Sequence, residues 1–287
     1  MKTMPSLVLV GAALLFAAAP VLGQQPAGEP KGPAAKIYIA DAKGEGLVAS
    51  GGKIHPIRQG AAFNATGTVI ETRAKAYNAV VYSNGTGLFV DENTRVEIER
   101  FVQQPFQARN DNTLDSVHEP SMSQSTIRIA HGAVAICTNQ LRSGSTMTYV
   151  TPLATVVIRG GKLVIEVLAD ETHVDLLDGD VTVQAAGKET GGQLLRAGER
   201  AVIRPAAAGM EPALTLMPIP DDARKKDEQR VARACAGRRA VTFEALAVTG
   251  DSDEAAGAGD QELVARPTVP SDPPSNIVIS PDRLPGT

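Results

Sequence analysis

Aromatic side chains are scarce in this sequence. Phe, Tyr and Trp together make up 3% of the 287 residues, and Trp is absent. Val, Ile, Leu and Ala must therefore build the core, and the scarcity argues against the stacking platforms that hold sugars or single-stranded nucleic acid. No long run of Lys or Arg occurs and the formal net charge is −4, so nucleic acid is not an expected partner. Only two cysteines are present, Cys137 and Cys235, with no Cys-x-x-Cys pair. Zinc binding and thioredoxin-type redox chemistry thus have no support. The four histidines, His55, His118, His131 and His173, lack metal-ligand spacing, and each is expected to be exposed or hydrogen-bonded. No Gly-x-Ser-x-Gly elbow, phosphate loop or His-Glu-x-x-His motif occurs. No catalytic residue, cofactor site or metal ligand is assigned, and the chain is read as non-enzymatic. Asp170, Glu171, Asp175, Asp178 and Asp180 supply oxygens of the kind Ca²⁺ prefers. They lack a calcium-loop spacing, and turns use Asp for their own reasons, so the turn reading is preferred.

What is present begins with an export signal. Lys2 gives a short positive start, residues 7–19 form an apolar run broken only by Gly11, and Pro20 ends it. Val21-Leu22-Gly23 offers a cleavage site, which would leave Gln24 at the mature N-terminus. The alternative is an uncleaved anchor helix, for which the run is near the lower length limit. No Cys follows the run, so a lipoprotein anchor is not supported. The expected location is the periplasm or cell envelope, with no membrane span after cleavage.

Residues 24–35 form a Pro/Gly-rich linker. From 36 to 205 the chain reads as short strands between turns. Val96 and Ile98 alternate with Glu97 and Glu99, and Ile127 and Ile129 repeat the pattern. Leu163, Ile165 and Val167 oppose Val164, Glu166 and Leu168. Ser83-Asn84-Gly85 marks a tight turn, and Asp178-Gly179-Asp180 reads as another. Val156, Ile158, Leu163 and Ile165 are the expected core of the strongest strand pair. The polar interval 102–124 interrupts the rhythm and reads as an insertion. Pro220-Asp221-Asp222 opens a helix over 221–239, with an Asp cap and a thin apolar stripe of Val231, Ala234 and Cys235. Residues 250–287 are rich in Gly, Asp, Glu and Pro and read as a disordered tail, with one short apolar run at 276–280.

The stretch 145–204 resembles the FecR domain family. Thr151-Pro152 precedes a small residue and a hydrophobic run that ends in Arg159-Gly160. Leu177-Asp178-Gly179-Asp180-Val181 is similar to that family's Leu-x-Gly-x-Val hairpin, and Leu195-Arg196-Ala197-Gly198-Glu199 to its closing turn. The resemblance extends over 45–205. It implies an antiparallel β sandwich or roll, here with one C-terminal helix and a disordered tail. FecR-type sigma regulators carry a cytoplasmic segment and a transmembrane helix ahead of the domain. In this chain the domain follows an export signal almost directly, and Gly161 stands where the family usually has Thr. Arg159, the one charge ending an apolar strand, is expected in an ion pair with Glu166 or Asp170.

Three functions follow as expectations. The first is a binding or scaffold module whose partner is an envelope protein or glycan. The second is an envelope signalling component acting through a separate inner-membrane regulator. The third is an enzyme with a site in the 102–124 insertion. Cys137 and Cys235 either form a disulfide that clamps the helix to the β domain, or stay apart as a buried small apolar residue and a free thiol.

Overall fold

The computed structural model describes residues 35–106, 118–187, 191–205, 212–247 and 261–267. The chain is mainly β. Its first half carries β1 (Lys36–Lys43), β2 (Gly46–Ser50), β3 (Lys53–Pro56), β4 (Ala62–Asn64), β5 (Thr68–Thr72), β6 (Tyr77–Tyr82), β7 (Gly87–Val90) and β8 (Arg95–Gln103). The second half carries β9 (Ser123–Thr138), β10 (Thr146–Val150), β11 (Ala154–Val167), β12 (Thr172–Ala185), β13 (Gln193–Leu195), β14 (Glu199–Arg204) and β15 (Ala213–Pro218). Helix α1 (Asp221–Arg239) follows, and then a separate hairpin of β16 (Val241–Ala247) and β17 (Gln261–Pro267).

Strands β1 to β15 join in one sheet, whose main path runs β15-β14-β12-β11-β10-β9-β7-β6-β1-β4. Pairing is antiparallel except between β9 and β10, which run parallel from Thr146 opposite Gln124 to Val150 opposite Arg128. The expected antiparallel roll is therefore a mixed sheet. The cause is that β8 already lies antiparallel to β9 on its other side, and the chain leaves β9 at its far end and comes back beside its start. Alternate residues from nearly every strand meet in one apolar interior, which includes Ile37, Val80, Val96, Ile127, Val156, Ile165 and Val181. All four expected core residues, Val156, Ile158, Leu163 and Ile165, are buried there.

The long strands change phase partway along. In β9, Ile127 and Ile129 face the interior, and so do Val134 and Ile136; an odd position has given way to an even one. β11 switches from Val156 and Ile158 to Leu163 and Ile165, and β12 from Val174 and Leu176 to Val181 and Val183. A one-residue shift sends every later side chain to the opposite face unless a bulge absorbs it. Glycines in the left-handed region sit at the switches: Gly132 (φ 89°), Gly161 (φ 125°) and Gly179 (φ 104°). Gly161 and Gly179 face each other across β11 and β12. A Cβ on Gly161 would collide with the Asp178 carbonyl, and one on Gly179 with the Gly160 carbonyl.

This corrects the reading of Asp178-Gly179-Asp180 as a hairpin turn. The three residues lie inside continuous β12, and the reversal between β11 and β12 is at 168–171, closed by Leu168 N–H donating to Glu171 O at 2.9 Å. Positive φ at Gly179 serves a bulge rather than a reversal. The Ser83-Asn84-Gly85 turn does join β6 to β7, with Gly85 at φ 84°.

The sheet also extends past residue 205. β15 pairs with β14 from Glu199 opposite Pro218 to Arg204 opposite Ala213, and its alternating Leu214 and Leu216 pack against the interior. Within the expected tail, β17 pairs along its whole length with β16, and Leu263 is buried. The alternation of Leu263 and Ala265 outweighs the polar composition around it. The apolar run at 276–280 lies outside the described residues. Part of the 102–124 interval is anchored rather than free. The buried Glu119 accepts from Ser123 Oγ (2.6 Å), Ser145 Oγ and Arg142 N–H (2.9 Å), tying it to the β9–β10 connection. No helix among the described residues is long and apolar enough to cross a membrane.

Candidate functional site

Helix α1 covers the outer face of the sheet. Its N-cap position is Pro220, and no side chain caps it. Asp221 and Asp222 are first-turn residues, where their charge suits the helix dipole, so the expected Asp cap is not formed. The sequence reading saw only Val231, Ala234 and Cys235 on the docking face. The buried face in fact runs Asp227, Arg230, Val231, Ala234 and Gly237.

The middle of this face is apolar. Val231 and Ala234 pack on Phe89, Ala135, Cys137 and Val164, the residues that alternate with the interior positions of β7, β9 and β11. Small residues bring the helix close. A Cβ on Gly87 would collide with Ala234 O, and one on Gly237 would come within 3.4 Å of Ala79 Cβ. At this point Cys137 and Cys235 are joined in a disulfide, with Cα atoms 5.2 Å apart, inside the range such a bond requires. Arg238 Nη2 donates to Asn139 Oδ1 at 2.5 Å beside it.

The N-terminal half of the same face is charged and buried. Arg230, 6% exposed, donates to Asp91 on the β7 side (Nε–Oδ2 2.8 Å) and to Glu166 of β11 (Nη2–Oε1 3.1 Å). Its Nη1 lies 3.4 Å from Asp227 Oδ1. Arg200 of β14 forms a two-pronged pair with Asp175 of β12, at 2.6 and 2.5 Å. Asp227, 2% exposed, stands beside this pair. Burial first, and then the neighbouring Asp175 carboxylate, push its carboxyl up from 3.8 to about 8. It therefore holds a proton at neutral pH, and the buried cluster carries less negative charge than its residue types suggest.

A cleft of about 330 Å³ opens between the helix and the β5–β7 region, with Lys75, Tyr77, Phe89, Lys226, Arg230 and Arg233 on its walls. The Arg233 guanidinium lies over the Tyr77 ring at 4.4 Å and near Phe89 at 5.5 Å. The two acids of the cleft are engaged. Asp91 receives Arg230, and Glu92 Oε2 accepts the Lys75 backbone N–H at 2.6 Å. Lys75 takes a left-handed backbone, φ 60°, unusual for a residue with a long side chain. Among the described residues, neither Lys75 Nζ nor the Arg233 guanidinium has a carboxylate partner.

The residues singled out by sequence divide into a bonded pair and residues of turns, bulges and strand surface. Cys137 and Cys235 meet in the clamp. Thr151 caps the turn into β11, its Oγ1 accepting Ala154 N–H at 2.9 Å, and Pro152 is exposed beside it. Gly160 abuts Gln140. Asp178 is exposed, with Lys162 Nζ 3.4 Å away. Ala197 and Gly198 (φ 89°) make the turn into β14, where Gly198 N–H donates to Leu176 O at 2.7 Å. Arg159 is exposed and does not pair with Glu166 or Asp170; Glu166 points to the helix and takes Arg230 and Lys226 instead. The acidic cluster is dispersed as well. Asp175 turns to Arg200, while Glu171 binds His173 and Arg204. His131 Nδ1 lies 2.9 Å from Asn93 O, and His55 stacks on Phe63. Sequence reasoning missed Asp91, Glu166, Asp227, Arg230 and Arg233. The available signal was the placement of Asp227 and Arg230, two turns and one turn ahead of Ala234 on the same helix face.

No family model matches the chain, and no curated protein matches it. Two crystal structures from Parabacteroides distasonis ATCC 8503, provisionally described as anti-sigma factors, share part of its topology. The first is 14% identical with a TM-score of 0.38, and the match covers 55% of this chain and 62% of the other, less than two thirds of its length. The second is 11% identical with a TM-score of 0.37, covering 57% and 74%. Likeness at this level is confined to partial topology.

Proposed function

We propose that this chain is an exported, non-enzymatic binding or scaffold module of the cell envelope, and that the helix side of its sheet is the face that meets a partner. The observation that carries the reading is the Cys137–Cys235 disulfide, which fixes the helix that forms one wall of the cleft. Thiols are kept reduced in the cytoplasm, so a structural disulfide belongs to an oxidising compartment. The apolar run at 7–19 and the cleavage site at 21–23 supply the export route. The FecR-like motifs fit this reading as devices of the fold: Thr151, Gly160, Gly179 and Gly198 serve turns and bulges.

Binding suits the site better than catalysis. The carboxylates of the junction are held by Arg200 and Arg230, and Asp227, whose carboxyl pKa is raised, is on the buried face of the helix and off the cleft wall. Lys75 and Arg233 on the cleft wall are the groups left to meet a ligand. Fractionation tests the proposal. The protein is expected in the envelope fraction, beginning at or near Gln24, with no alkylatable thiol before reduction. A cytoplasmic protein with two free thiols would overturn it. Recovery of an inner-membrane regulator in a pull-down would select the signalling alternative.

A further inference from the structure

Resting on that reading, we propose that the cleft beside α1 binds a peptide through a single carboxylate, with the Arg233 guanidinium and the Lys75 ammonium as its cationic partners. The protein as a whole is acidic, net −4, yet this cleft is lined by four cations against Asp91 and Glu92. The pairings then separate the cations into two groups. Arg230 is consumed by Asp91, Glu166 and Asp227, and Lys226 lies 3.5 Å from Glu166. Lys75 and Arg233 remain. The Arg233 guanidinium carbon lies 4.4 Å from the Tyr77 ring centroid, a contact that restrains the group, and no carboxylate among the described residues pairs with it. A planar fork of donors restrained in this way matches a carboxylate in two-pronged fashion, and little further ordering is needed to form the pair.

The rest of the wall selects the body of the ligand. Tyr77 is half-buried on this wall, with the buried Phe89 behind it at 5.5 Å between centroids, and its ring suits an aliphatic or aromatic neighbour of the carboxylate. The Gln229 amide can serve an amide group of the ligand, while Asp91 and Glu92 are already engaged by Arg230 and the Lys75 N–H. The same two acids disfavour a dianion such as phosphate, because the surplus of positive charge is small and like charges within a few ångströms are repelled. The volume is at the small end for ligand pockets and fits a few residues of a peptide.

The left-handed backbone at Lys75 also has a role here. It places the Lys75 N–H on Glu92, so Glu92 is occupied by the backbone and the Lys75 ammonium is not. The position invites a clean variant, since Asn tolerates this conformation better than most residues.

The test is titration calorimetry with the oxidised mature protein and the peptide acetyl-Ala-Leu-Glu with an amidated C-terminus, whose Glu side chain is its one carboxylate. Its neutral counterpart with Gln in place of Glu, and inorganic phosphate, serve as comparison arms. Saturable binding of the acidic peptide is expected, weaker at 300 mM than at 50 mM salt, as an ion pair at a surface cleft requires. Lys75→Asn and Arg233→Gln should each weaken it at least tenfold, and Lys162→Gln, remote from the cleft, should leave it unchanged. Because Arg233→Gln also removes packing on Tyr77, Lys75→Asn with an unaltered melting curve is the deciding variant. No saturable binding, equal binding of the neutral peptide or of phosphate, or undiminished binding by Lys75→Asn would each overturn the inference. The envelope reading is decided separately: a cytoplasmic, thiol-reduced protein that still binds the acidic peptide would sink that reading and leave the cleft assignment standing.

Discussion

Asp227 is a buried acid that keeps its proton. Its folded pKa, about 8, stands above the ordinary value of 3.8. Between these values the folded state holds a proton that the unfolded state has lost, so stability falls as pH rises through that window. The contribution is fully present below about pH 4 and gone above about pH 8. Asp227→Asn keeps a neutral group of the same shape and removes this titration. Urea melts at pH 5 and pH 8.5 should therefore show the wild type losing more stability than the variant over that interval. Equal losses would mean that Asp227 is ionised throughout. None of this was legible in the sequence. Asp227 and Arg230 look like solvent-facing helix residues, and only contact with Asp91 after β7, Glu166 of β11 and Asp175 of β12 makes them interior. The cysteines were different: their compartment and the thin stripe of α1 pointed to the clamp, although pairing and non-pairing stayed open until geometry brought the Cα atoms within bonding range.

Within the strands, period-two alternation was readable and the phase switches were not. Ile158 and Ile165 were correctly placed in the interior because each lies within one phase. Replacing either by Ala should cost roughly 2–5 kcal/mol, read from denaturant melts; an unchanged midpoint for both would contradict their burial. Gly179 was misread because a positive-φ glycine between aspartates looks the same in a turn and in a bulge. Its packing separates the two. A side chain there meets the Gly160 backbone, which cannot yield as a flexible side chain would. Gly179→Ala should therefore destabilise by about 3 kcal/mol or more, from strain plus overpacking. An exposed hairpin glycine such as Gly51, with nothing near its Cβ position, should lose about 1 kcal/mol on the same substitution. Equal effects at the two sites would return Gly179 to a turn. β15 and β17 escaped notice because Pro, Gly and charged residues around them set the composition of their windows, while pairing is decided by a few alternating apolar positions.

At the scale of the molecule, the disulfide closes a loop of 98 residues that holds β10 to β15 and most of α1. In mechanical terms that third of the chain is a sealed cassette. Tension applied at the two ends travels through the strands ahead of Cys137, crosses the sulfur bridge, and leaves through the last turn of α1; the enclosed strands do not bear it. Stretched in an optical trap, the oxidised protein should yield a contour shorter by roughly 320–350 Å than the reduced one, the extended length of the hidden segment. Identical contours with and without reductant would show that the bridge does not form. A module anchored at one end and loaded at the other would thus keep β10 to β15, with the bulges at Gly161 and Gly179, out of the line of force.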